Sequence, residues 1–162
     1  MMKQLVATAA VGVFIAGTAS AQNAQHIERA SAGQSCANCN LFQADLSFGD
    51  YSNASFEGSR LRQADLSISI FDGSNFAGAN LSVANLFGVR MTGANLSGAD
   101  LTNATLVGAY LGGASLSGAT LTGANLSGAE MATTRGLTQA QLTAACGDRY
   151  TELPQGFTIP AC

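Results

Sequence analysis

The chain has no tryptophan, one histidine, one lysine, two prolines and only 10% charged residues. Each scarcity excludes something. The lone His26 leaves no second imidazole for a Ser-His or Cys-His nucleophile system elsewhere. Its place in a polar stretch near the N-terminus reads as a flexible lead-in. The only lysine, Lys3, sits in the leader, so the chain from Gln22 onward carries six arginines against ten acids, a formal charge of −4. Phosphate binding needs clustered Lys and Arg, so this balance argues against nucleic acid as a partner. The apolar run over residues 5–17 is too short to span a bilayer comfortably.

What the N-terminus does hold is the pattern of an export signal over residues 1–21. Lys3 supplies the positive start, residues 5–17 the apolar core, and Ala19-Ser20-Ala21 a small-x-small cleavage site. No cysteine follows directly, which argues against a lipid anchor. After cleavage no stable membrane anchor is expected, and the product is periplasmic or extracellular.

The body of the chain is rich in Ala, Gly, Ser, Asn and Leu, with 19 glycines in 162 residues. Such bias points to a repeat. Over residues 41–131 a bulky apolar residue recurs every five positions. These nineteen centres are thirteen Leu, three Phe, two Met and one Tyr. Two residues before each centre stands a small residue, Val89 alone excepted. Two residues after it, Gly appears eleven times. A step of five turns an α-helix by about 140°, which would scatter the leucines over every face. In an extended segment residues two apart point the same way, so the centre and the small residue face inward together. The residue between them, usually Asn, Asp or Thr, faces out. The other two make a bend, where Gly tolerates a positive φ.

The exceptions count the sides. Tyr51, Phe71, Met91 and Met131 are separated by multiples of twenty, as are Phe56 and Phe76. The remaining two sides are pure leucine ladders, one of them running Leu46, Leu66, Leu86, Leu106, Leu126. A four-sided coil of twenty residues follows. Stacked at ~4.8 Å, it makes a rod roughly 23 Å long.

This pattern, as in Ala94-Asn95-Leu96 and Ala99-Asp100-Leu101, resembles the pentapeptide-repeat family and its A(D/N)LXX motif. The resemblance covers residues 39–133 and implies an all-β fold, a right-handed quadrilateral β-helix. Arg60, Ile70, Arg90 and Tyr110 depart from the motif, and a local bulge is expected at Val89. The ending, from Gly136-Leu137-Thr138 to Cys162, looks like that of secreted bacterial members.

Both ends of an open solenoid need covers. Residues 22–38 are read as an N-terminal lead-in and cap, and residues 134–162 as a C-terminal cap. In the latter, Thr138 and Gln141 fit a capping box, with Leu137 and Leu142 placed as a staple. A short helix is expected over residues 139–146, with Gly147 just past it. Leu153, Phe157 and Ile159 follow in the tail. Cys36 and Cys39 open the solenoid. Redox chemistry would need a helix start in a βαβ context, and zinc would need four close ligands. Structural use is favoured over both. In an oxidising compartment the expected disulfides are Cys36–Cys39 and Cys146–Cys162.

No cofactor, metal or catalytic residue is expected. Asp45, Asp50, Asp65, Asp72 and Asp100 lie outward on a convex rod without a cleft to shift their pKa values, and read as solvated. The sequons at Asn80, Asn95 and Asn125 are by-products of the repeat. The expected function is an exported structural or protein-binding module. The alternatives are a DNA mimic that inhibits a topoisomerase such as gyrase, and a secreted enzyme using Cys36 and Cys39. Export and weak charge disfavour the first. Ice binding on Thr120 and Thr122 is weaker still, because Asp100 and Asn80 break the array. The candidate protein contact is an apolar stripe of Phe48, Ile68, Ile70, Phe87 and Val107, either open or covered by the tail with Phe157 or Ile159 as lid.

Overall fold

The computed structural model describes residues 19–162, with side chains from residue 24. The export signal expected over residues 1–21 lies outside the described residues, apart from residues 19–21, which open the first helix.

Parallel bridges join residues twenty apart from Asn40–Arg60 through Ser115–Arg135. All nineteen centre residues are buried, and so are the small residues two before them, except half-exposed Gly49. The alternation arises because a bridging residue such as Asn85 turns its side chain out while its neighbours Ala84 and Leu86 turn in. Each side ends in a turn. The Ala44, Ala64, Ala84 and Ala104 amides each donate at 3.0 Å to the centre carbonyl three residues back. The residue two after each centre, from Gln43 to Gly128, has φ between 55° and 68°. That is the third position of a type II turn, which requires a positive φ. The outward Asn or Asp clamps the turn. The Asn80 Oδ1 accepts from the Ser82 amide at 3.0 Å and from its hydroxyl at 2.7 Å. The product is a right-handed quadrilateral β-helix.

The interior is graded. Toward the N-terminus Tyr51 stacks on Phe71 at 4.8 Å between ring centroids, and Phe56 on Phe76 at 5.0 Å. Edge-to-face contacts tie the two columns together. Inward serines bond to backbone carbonyls, Ser74 to Tyr51 at 2.8 Å and Ser59 to Cys36 at 2.5 Å. No bulge forms at Val89. The Arg90 amide reaches the Ser69 carbonyl and the Tyr110 amide reaches the Val89 carbonyl, both at 2.9 Å. Its neighbours one coil away are Ser69 and Ala109, small enough to leave room for one valine.

Helix α1, Ala19–Ser31, covers the N-terminal end. It turns Ile27 and buried Ala30 onto the core. It stops in a Schellman pattern, with the Gly33 amide (φ 72°) donating to Ala30 and the Gln34 amide to Arg29. His26 is not a flexible lead-in. It is half-buried in α1, and its Nδ1 accepts the Asn40 amide at 3.0 Å. In later coils the equivalent amide donates to the coil before, as Arg60 does to Cys39. Asn40 has no earlier coil, so the imidazole satisfies that edge.

Helix α2, Gln139–Thr143, carries the expected capping box at Thr138 and Gln141. It is shorter than the expected 139–146. After Ala144 the chain returns to the ladder, where the Leu126 amide donates to Cys146 at 2.8 Å and the Met131 amide to Glu152 at 2.7 Å. Gly147 accordingly does not end the helix. It is buried in the ladder and bridges Ala161.

Candidate functional site

The stripe residues gather at one corner of the prism. The column two after the centres reads Phe48, Ile68, Gly88, Gly108, Gly128, and the column beside it reads Ser47, Ser67, Phe87, Val107, Ser127. Phe48 is 78% exposed, Ile68 46% and Phe87 49%, with Val107 and Ile70 half-buried. Phe157 and Ile159 pack on the core, and Gln139 of α2 bonds both ways to the Thr158 backbone. The tail thus serves the C-terminal end, and the corner stays open. Val83, 44% exposed at the preceding corner, escaped the stripe as read from sequence. Its signal was available: it too replaces a turn glycine.

Ile68 and Val83 have φ of 56° and 59°. A β-branched residue there is strained by roughly 1–2 kcal/mol. Asn tolerates the left-handed region, so Val83→Asn is expected to raise stability by about 0.5–1 kcal/mol. A denaturant midpoint that stays put or falls would count against strain at this corner.

Around the ridge the polar groups are engaged. The Ser47 and Ser52 hydroxyls, then their amides, hold the Asp45 and Asp50 carboxyls below the ordinary value of 3.8. Asp65, Asp72 and Asp100 are half-buried rather than simply solvated. Arg90 cannot clamp its own turn. Instead the Asp72 carboxylate accepts the Thr92 amide at 3.0 Å and pairs with Arg90 at 2.7 Å.

Cys36 and Cys39 form one disulfide and Cys146 and Cys162 another. Among the described residues no group of three or more His, Cys, Asp or Glu converges as a metal site.

No curated protein matches the chain. Several solved structures do. A pentapeptide repeat protein from the Arabidopsis thaliana thylakoid lumen is 33% identical over 64% of this chain and 81% of its own, with a TM-score of 0.41. A Nostoc pentapeptide repeat protein involved in heterocyst differentiation regulation is 28% identical over 80% and 65%, at 0.37. A second from Nostoc is 26% identical over 83% and 87%, at 0.35. The family model for pentapeptide repeats matches in eight copies over residues 39–76, 70–103 and 99–134. That is more than half the sequence, and the bridges twenty residues apart run through all of it; this chain belongs to the pentapeptide repeat family.

Proposed function

We propose that the chain is a non-catalytic, exported scaffold that binds protein through the corner ridge of Phe48, Ile68, Phe87 and Val107. The observation that carries this reading is a conflict between backbone and side chain. Phe48 and Ile68 stand at φ of 59° and 56°, a turn position where the later coils of the same column carry Gly88, Gly108 and Gly128 and the other non-glycine residues are, Val83 apart, polar Gln or Asn, and both are exposed. Strained apolar side chains left this exposed point to a contact made outside the chain. Residues 39–133 form the binding body, with residues 22–38 and 134–162 as its covers. Export is supported by the leader pattern and by two disulfides, which persist in oxidising compartments.

The test is the double substitution Phe87→Lys with Val107→Lys. Both sit in turns outside the core, so folding is expected to survive. The variant is expected to lose a partner or a dimer that wild type shows in native mass spectrometry and in capture from periplasm or culture medium. If it is folded and keeps every association, the ridge is not the contact. Cell fractionation tests export, and a purely cytoplasmic protein would refute it.

A further inference from the structure

We propose that the ridge is occupied by a second copy of this chain, docked with its axis antiparallel. This rests on the reading of the ridge as a contact surface. The argument is the order of residues along the corner. The outer turn column carries bulk on its first two coils, Phe48 and Ile68, and then bare backbone at Gly88, Gly108 and Gly128. The adjacent column is reversed: Ser47 and Ser67 come first, then Phe87 and Val107. Apolar bulk therefore stands as knobs at one end and as the wall of a trough at the other. A β-carbon on Gly108 would meet no heavy atom within 4 Å, so the trough floor is open there. Over Gly88 it is partly roofed by Ile68 of the same chain, whose Cδ1 would lie 2.9 Å from such a β-carbon.

A two-fold axis between the Ile68 and Gly88 coils makes this surface complementary to itself. It sets Phe48 of each copy on the Val107-Gly108 turn of the other, and Ile68 against the Phe87-Gly88 turn. Such an interface closes as a dimer. Charge selects the same direction. Asp45, Asp50 and Asp65 flank the knobs, while Asn85, Arg90, Thr105 and Tyr110 flank the trough. Antiparallel docking puts the acidic end of each copy on an end whose one cation, Arg90, is balanced by Asp72, so that no carboxylate faces another. Parallel docking would set three carboxylates against three, which is unfavourable. A ridge of four coils at ~4.8 Å each places the contact among small, reversible interfaces.

The experiment is sedimentation velocity on the disulfide-intact chain from Gln22, at concentrations rising to on the order of 100 µM. Wild type is expected to shift from monomer to dimer across that range. Phe48→Asp, which suits a left-handed turn residue, and Val107→Lys are each expected to weaken the dimer at least ~tenfold, at a cost near 1.4 kcal/mol. Mixed together, the two variants are expected to recover a one-to-one heterodimer, because antiparallel docking sets position 48 of one chain against position 107 of the other. Circular dichroism checks that each stays folded. Wild type that remains monomeric throughout, single variants that dimerise like wild type, or a mixture without rescue would each overturn the proposal. If wild type is monomeric yet Phe87→Lys with Val107→Lys loses a different captured protein, the second copy is wrong and the contact surface stands. If neither assay changes, both are wrong.

Discussion

Replacing Leu106 by Ala is expected to destabilise the solenoid by about 2–5 kcal/mol, and replacing it by Asp to prevent folding. Leu106 is fully buried in the ladder between Leu86 and Leu126. Its amide donates to the Asn125 carbonyl of the next coil at 2.8 Å, and its own carbonyl accepts the Ala109 amide at 3.1 Å. Truncation therefore leaves a cavity inside a fixed backbone frame. The inward neighbours Ala104 and Ala109 are too short to fill it. A coil touches only the coils beside it, so strain cannot be shared along the rod. A carboxylate there meets no cation, and the cost of an unpaired buried charge is comparable to a whole domain's stability of about 5–15 kcal/mol. Thr102→Ala is the control. Its side chain lies outward in a turn whose amide is already held by Asp100 at 3.0 Å, so the loss should be under about 0.5 kcal/mol. Denaturant midpoints measure all three. If Leu106→Asp unfolded where Thr102→Ala does, the inward and outward assignment would be wrong.

The coil could be read from sequence because side-chain direction alternates along each side. A centre shifted by one residue would point into water, so the period of five declares the register. The non-leucine centres then reveal four sides, since Tyr51 stacks on Phe71 and Phe56 on Phe76. Helix α1 was not legible. Its buried face rests on Ile27 and Ala30, too little for a periodic signal, although the glycine at position 33 marks its end. The length of α2 was misjudged for a different reason. Helix propensity is local, but the Ala124 carbonyl and the Leu126 amide need ladder partners, and Cys146 supplies both. The bulge expected at Val89 does not form because its neighbours one coil away, Ser69 and Ala109, are small, a relation between coils that the local motif does not carry. The ridge was visible as departures from the motif. Its backbone strain was not, because the sign of φ at Phe48 and Ile68 emerges only once every turn adopts the same geometry.

Cys162→Ser is expected to cost about 3 kcal/mol in the chain-entropy view of a disulfide closing a loop of this size. The loss should appear first at the C-terminal end. Gly147 occupies the place in the ladder that Leu126 holds one coil earlier, yet it brings no side chain to the core. The space is taken by Thr151 and Ile159, whose Oγ1 and Cγ2 lie 2.7 Å and 3.1 Å from where a β-carbon on Gly147 would stand. The plug is thus supplied by the tail and must be held there. Two backbone bonds do so, from Gly147 to the Pro160 carbonyl at 2.9 Å and from Cys162 to the Gly147 carbonyl at 3.0 Å. Gln139 adds its two bonds to Thr158, and the covalent link between Cys146 and Cys162 fixes the register. Without that link the tail can leave as a unit, because the ends of a solenoid open at less cost than its middle. Limited proteolysis should then cut within residues 153–162 while the coils around Leu86 stay protected, because Glu152 is held in the ladder by Ala129 and Met131. Unfolded but unreduced wild type should titrate near zero free thiols, and Cys162→Ser close to one. A variant with an unchanged midpoint and an equally resistant tail would show that Ile159 and the backbone bonds hold the plug unaided.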